Sequence, residues 1–351
     1  MTRAVYATRE RVMRAADIRA TAYVSSEIDS ALQSASQAVD DLCKRGDAIR
    51  PGFAPWEGSI TFDWPKPNND DPYRFYLNQH TLLTADGAVS GGVDISSALL
   101  PWPEYGPPYT ALDVDQGSGQ LLTFVEGVGQ RSLTITGTWG YTDAEKTLST
   151  WTLSTSINAS ATAATLNAPF GVGSIVRIGD ERMFVTERAW ATSSQTGSLT
   201  KSAAAQTLAV ADGSVFLAGE ELLIDAERVL IRDIASNNLI VQRAQSGSAL
   251  AEHTTATIYW SRSCTVERGV LGTTAATHNS GAQVYLFTPP ALVEQLTVAY
   301  ALNTREQESS AYARTIGSGD NERAASGRGI SDLEKQVLAT YGRQLRHRAV
   351  G

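Results

Sequence analysis

Two histidines occupy matching places in this chain of 351 residues, and their surroundings come nearest to a chemical constellation. His253 and His278 each follow a Ser-, Thr- and Ala-rich loop and precede a strand-like run, and each trails a matching arginine, Arg243 and Arg268. An imidazole near carboxylates can shuttle protons or bind metal, whereas at a loop–strand junction it satisfies loop carbonyls. The second role is the expectation for both. Carboxylates are supplied by Asp180-Glu181 and Glu220-Glu221, and the recurring Glu181 and Glu227 are expected to face solvent or to pair with a repeat arginine. The acidic run Asp113-Val-Asp115-Gln-Gly117 has the look of a calcium loop. Its twelfth position is Phe124 instead of a bidentate Glu, so a β-turn is expected.

No nucleophile elbow, phosphate-binding Gly-Lys-Ser/Thr loop, His-Glu-x-x-His or Cys-x-x-Cys occurs. Gly171-Val-Gly173 and Gly317-Ser-Gly319 lack the third glycine of a dinucleotide fingerprint and read as turns, and the tripeptide Arg45-Gly46-Asp47 coincides with a helix stop. Cys43 and Cys264 are too few for a disulfide framework, and four histidines leave little for zinc, so both thiols are expected to be buried apolar groups. The expectation is a protein without catalytic residues, cofactor or metal.

With 42% of its residues apolar, the chain has enough for a core and for two or three domains. A net charge of −8 argues against an electrostatic grip on nucleic acid and suits a surface that DNA passes without sticking. The apolar stretches near residues 220–231 and 291–302 are interrupted by Glu or Gln before they reach bilayer length, and the N-terminal segment is Arg-rich. No membrane contact is expected.

The elements that must position these residues fall into four segments. Residues 1–50 carry a short helix, Thr8 to Ala16, and a longer one, Glu27 to Arg45, with Ile28, Ala31, Leu32, Ala35, Val39 and Leu42 at helical spacing. Ser26 with Asp29 would cap its start, and Gly46 would supply a left-handed stop. Residues 51–150 read as β-structure with many turns, for example Ser59 to Trp64, Arg74 to Asn78, Leu121 to Val125 and Arg131 to Trp139.

Residues 151–288 contain an internal duplication. Thr165-Leu166, Gly173 and the run 180–185 recur as Thr207-Leu208, Gly219 and 226–231. Val241, Arg243, Gly247, Ala251, His253 and Ile258-Tyr259 recur as Val266, Arg268, Gly272, Ala276, His278 and Val284-Tyr285. The halves run first, first, second, second. Two arrangements fit that order: a module interrupted by a full copy of itself, at about 198–261, or a tandem with swapped hairpins. Trp190 and Trp260 mark the junctions and would bury aromatic area there.

Residues 289–351 begin with Pro289-Pro290, which suits a helix start, and a helix from Ala291 to about Ser309 with Leu292, Leu296, Ala299 and Tyr300 on one stripe. A Gly/Ser-rich stretch, 315–329, reads as a loop or flexible link. A last helix from Ser331, capped with Glu334, shows Leu333, Val337, Leu338, Tyr341 and Leu345 at helical spacing, and Arg343, Arg346, His347 and Arg348 follow.

The ends of the chain carry a resemblance. Thr8-Arg-Glu-Arg-Val-Met, Ile28 to Val39, Thr61-Phe-Asp-Trp-Pro65, Pro289 to Glu306 and Ile330 to Tyr341 together resemble the head-to-tail adaptor, or connector, proteins of long-tailed bacteriophages. With Arg131-Ser-Leu-Thr-Ile-Thr-Gly-Thr-Trp-Gly-Tyr141, the chain looks most like adaptors of phages infecting actinobacteria. The match covers about half the chain and uses helix patterns. Small adaptors are mostly helical, so the β-rich residues 51–288 are a departure.

The elements together predict an α+β fold, with a helical core built from the N- and C-terminal helices and a large β-rich insertion that holds the nested duplicated module. The resemblance implies a dodecameric homo-oligomer in the virion neck, docked on the portal protein, extending the DNA channel without sequence-specific binding and offering a surface to a tail-side connector, stopper or tail protein. Portal contact would fall on Leu333, Val337, Tyr341, Arg343, Arg346 and Arg348. The rival expectations are a tail-completion or baseplate protein, and a surface- or carbohydrate-binding β-module protein with an exposed aromatic platform.

Overall fold

A computed structural model describes residues 3–15, 25–63, 74–120, 122, 130–309, 315–316, 323–324 and 328–343. Among them are four helices and several antiparallel sheets, an α+β composition. The helices are α1 (Arg9–Ala15), α2 (Ser25–Cys43), α3 (Ala291–Ser309) and α4 (Arg328–Tyr341). The apolar spacing of α2 does what it predicts, burying Ile28, Ala31, Leu32, Ala35 and Val39. Ile28, Leu32 and Ala35 meet Val12 of α1 and Val298 and Ala301 of α3. The other side of α3 places Val293 and Leu296 with Val39 and Cys43 of α2, Phe53, and Val337 of α4.

Helix ends depart from the expected signals for identifiable reasons. α2 starts at Ser25, so Ser26 lies inside it, and Asp29 accepts a forked bond from Arg9 at 2.8 and 2.6 Å instead of capping. At its C-terminus Lys44, not Gly46, takes the first left-handed position (φ +55°). Arg45 N bonds Asp40 O and Lys44 N bonds Asp41 O, the paired pattern that satisfies two carbonyls of the last turn. α4 starts three residues before Ser331, and Glu334 accepts a 2.8 Å bond from the Tyr300 hydroxyl rather than closing a capping box. Within the stretch read as a loop, Thr315–Ile316 and Arg323–Ala324 pair antiparallel, as β-branched Thr and Ile favour. Leu121 and residues 123–125 lie outside the described residues.

Residues 56–139 form one β-lobe. Its larger sheet runs Trp56–Phe62, Leu133–Trp139, Leu82–Ser90, Val93–Asp94, and a three-stranded sheet runs Arg74–Tyr76, Ala111–Val114, Leu99–Trp102. Ile60, Phe75, Leu77, Leu82, Ile95, Leu112, Ile135 and Trp139 share one core between them.

The duplicated region supplies nine strands of a single ten-stranded sheet, whose tenth is Glu145–Lys146. Two long strands, Glu181–Leu199 and His253–Glu267, run antiparallel through it and carry both copies. Leu166, Val176, Ile178, Met183, Val185, Val266 and Val284 form one core, here called the outer module. Their repeat partners Leu208, Leu222, Ile224, Val229, Ile231, Val241 and Ile258 form a second, the inner module. Residues from the two ends of the duplication thus share a core around the inner copy.

The outer module is fastened to the helices by its loop after Arg268. Val270 and Leu271 are buried in the helical core, Leu271 O accepts Glu57 N at 2.8 Å, and Val270 N bonds Arg182 O at 2.9 Å. The matching inner residues are Gln245 and Ser246, polar and half-buried.

Candidate functional site

The densest polar clusters are two cages, one per module, built on Glu181 and Glu227. Each glutamate begins the strand after a tight hairpin, pairing Ile178 with Glu181 and Ile224 with Glu227. Glu181 accepts Arg268 Nε and Nη2 at 2.7 Å each, the amides of Gly269 and Ala276 at 3.0 and 2.9 Å, and His278 Nε2 at 2.7 Å. Glu227 repeats this with Arg243 at 2.7 and 2.7 Å, Ala244 and Ala251 at 3.0 Å, and His253 Nε2 at 3.0 Å. Both arginines also close the preceding loops, Arg268 through the carbonyls of Asn158, Ala161 and Ala276 and Arg243 through those of Thr200, Ala205 and Ala251.

Of the two roles expected for Glu181 and Glu227, the structure excludes facing solvent: both are buried and paired with the repeat arginines. Burial alone would raise the Glu181 carboxyl. Arg268, the Ala276 amide, His278 and the Gly269 amide outweigh it and hold the group down to about 2. Glu227 is held down to about 2 by Arg243, Ala251, His253 and Ala244 in the same way. With five donors on each carboxylate, neither has an acceptor site left for a substrate proton. Chemically the cages are internal staples.

The copies differ at one hairpin residue. Asp225 stands where the outer module has Gly179, and its carboxylate reaches His253 Nδ1 at 2.7 Å, so His253 lies between two carboxylates and His278 against one. The sequence match skipped this position because only one copy has the side chain. A further buried pair, Arg262 with Glu220 at 2.7 Å through two nitrogens, was also missed, since it has no counterpart in the outer copy, where Ser174 replaces Glu220.

Acid stability follows from these groups. Between about 2 and the ordinary value of 4.5, the unfolded chain takes up protons on Glu181 and Glu227 that the folded chain does not, so stability rises with pH there. Above that, two buried groups oppose each other. Burial raises Asp40 from 3.8 to about 6, which favours the fold at lower pH, and lowers His80 from 6.5 to about 4, which favours it at higher pH. Denaturant midpoints should climb steeply from pH 2.5 to 4.5 and change little from 4.5 to 6.5; equal midpoints at pH 2.5 and 4.5 would mean the cages do not stabilise the fold.

The six residues expected to meet a partner are placed as follows. Val337 is fully buried, and Leu333 and Tyr341 pack on the same helical core. Tyr341 meets Phe53 and Tyr141 edge-on at 5.8 and 5.4 Å, and its carbonyl accepts Arg45 Nε at 2.8 Å. Arg343 N bonds Cys43 O at 3.0 Å and its guanidinium donates to the His80 carbonyl; burial lowers its pKa to about 10. Arg346 and Arg348 lie outside the described residues. α4 turns Asp332, Lys335, Gln336, Leu338, Ala339 and Thr340 outward, with Lys335 paired to Asp332 at 3.3 Å.

Trp190 and Trp260 are half-buried beneath guanidiniums, Arg228 at 5.5 Å and Arg262 at 4.0 Å from the ring centres. Cys43 and Cys264 are free and buried, with burial raising both thiols to about 11. Among the described residues no cluster of three or more His, Cys, Asp or Glu side chains is arranged to hold a metal ion, and no helix is long and apolar enough to cross a membrane. No protein-family model matches the chain, and neither a curated protein nor a solved structure matches it.

Proposed function

We propose that the chain is a structural ring subunit of a phage neck, a head-to-tail adaptor that docks on the portal, extends the DNA channel and offers a surface to tail-side proteins. The observation that carries this reading is the joining of both chain ends in one helical body. α2, α3 and α4 share the core around Phe53, and α1 closes its far side against Val298. The β-lobe and the two modules are then one long insertion between α2 and α3, tied down by Val270, Leu271 and the Arg9–Glu187 and Arg188–Glu10 ion pairs at 2.9 Å each. A subunit fixed in this way can present broad, rigid faces to neighbours in a closed ring.

Portal contact is assigned to the C-terminal end of α4 and the residues after it. Leu333, Val337 and Tyr341 hold the helix on the core, Arg343 fastens its end to Cys43 and His80, and Arg346 and Arg348 supply charge to the partner. The net charge of −8 lets DNA pass without adhesion. Light scattering or native mass spectrometry of the full chain, alone and mixed with its candidate portal ring, is the test. Stoichiometric capture on the portal is the expected result; a chain that ignores the portal and binds glycan instead would replace this reading with the surface-binding one.

A further inference from the structure

The duplication gives the molecule two copies of one seat, and the chain itself fills the first. On the outer module the seat holds the strand Trp56–Phe62: Glu57 N donates to Leu271 O at 2.8 Å, and the Glu57 carboxylate pairs with Arg182. The inner counterparts of Leu271 and Arg182 are Ser246 and Arg228.

The two seats have one shape. Gly269, Leu271 and Gly272 have φ of +59°, +56° and +85°, and Ala244, Ser246 and Gly247 repeat them at +52°, +52° and +73°. Thr273 Oγ1 clips the outer loop to its strand, accepting Arg182 N at 3.0 Å and donating to Val270 O at 2.8 Å. Ser248 Oγ does the same in the inner copy, with Arg228 N at 2.9 Å and Gln245 O at 2.8 Å. Left-handed backbone is unfavourable for alanine and serine, so the inner loop keeps this shape against its own preference.

The inner seat is uncovered. The Arg182 side chain is 9% exposed beneath Glu57, whereas that of Arg228 is 30% exposed, and no donor among the described residues reaches Ser246 O. Glu221, standing where the outer module has Ile175, holds Arg228 through one nitrogen at 3.4 Å and leaves the rest of the fork open. Arg228 also lines a cleft of about 190 Å³ with Trp190 and Met13, which gives an incoming side chain room.

We infer that this second seat takes an extended segment of a partner protein that carries a glutamate, bound as Glu57 is bound on the outer module. The segment's backbone N–H donates to Ser246 O, and its carboxylate forks onto Arg228. A second copy's Glu57 is already spent on its own outer module, so the occupant is a different protein. Gln245 and Ser246 replace the buried Val270 and Leu271, which makes this contact polar and reversible where the outer one is permanent. The inference follows from the duplication and is independent of the ring reading.

The probe is a labelled peptide with the sequence of residues 54–62, the segment that fills the first seat, titrated into the full chain and followed by fluorescence anisotropy. One peptide per chain should bind reversibly. Arg228→Ala, with unchanged circular dichroism, should weaken binding at least about tenfold. On unaltered protein, a peptide with Gln in place of its glutamate, or one N-methylated at that residue, should lose as much. Arg228→Ala with the Gln peptide should bind no more weakly than either change alone. No saturable binding up to about 1 mM peptide, binding indifferent to Arg228→Ala, or losses that simply add would each overturn the inference and leave the ring reading as it stands.

Discussion

Glu181→Gln will destabilise the protein by roughly 3–5 kcal/mol, because it leaves the Arg268 guanidinium buried against a neutral amide and turns an NH2 toward donors. Among the described residues the carboxylate is the only group that reaches Arg268, His278 and the Gly269 and Ala276 amides together, so its loss releases the loop that carries Val270 and Leu271 into the helical core. Pairing it with Arg268→Met should recover part of the loss, since no uncompensated buried charge then remains. Guanidinium unfolding of the two variants measures this. A single-variant loss under about 1 kcal/mol would mean the cage contributes no more than a surface pair.

Two glycines with nearly the same backbone angle should respond very differently to alanine. Gly219 has φ +86° and open space where a Cβ would go, so Gly219→Ala should cost about 1 kcal/mol from the left-handed conformation alone. Gly272 has φ +85°, but its Cβ would lie 1.8 Å from the Glu57 carbonyl oxygen. The loop must then lift from the strand Trp56–Phe62, drawing Leu271 out of its buried site, a loss in the range of about 2–5 kcal/mol for a core leucine. Thermal unfolding of both variants compares them. Equal losses would show that the loop is not pressed against that strand.

The helices were legible from periodicity because their buried faces are continuous, as in α2, where Ile28, Ala31, Leu32, Ala35 and Val39 point inward. Their caps were not. Asp29 and Glu334 look like capping residues in sequence, but tertiary partners, Arg9 and the Tyr300 hydroxyl, take up their carboxylates. The duplication revealed which residues correspond, and left open which half closes with which. That is decided by pairings 87 and 97 residues apart for Glu181 and 16 and 26 apart for Glu227, distances that no local pattern encodes.

Of the stripe Leu333, Val337, Leu338, Tyr341 and Leu345, the first, second and fourth turn inward, Leu338 is exposed and Leu345 lies outside the described residues; a stripe alone does not say whether it meets the chain's own core or another molecule. Phe53 and Tyr141, far away in sequence, supply its partner.

Nesting also sets a schedule for synthesis. At about 5–20 residues per second, a ribosome delivers Arg243 about 1–3 s after Glu227 but Arg268 only about 4–17 s after Glu181. For that interval the first half of the outer module emerges with Val176, Ile178 and Met183 lacking Val266 and Val284 to cover them, while the inner copy behind it can already close. Each newborn chain therefore carries an open β-half beside a finished look-alike, and a neighbouring nascent chain offers the same missing half. Crowded translation of this message favours exchange of halves between chains, and slower, well-spaced translation favours the closed subunit.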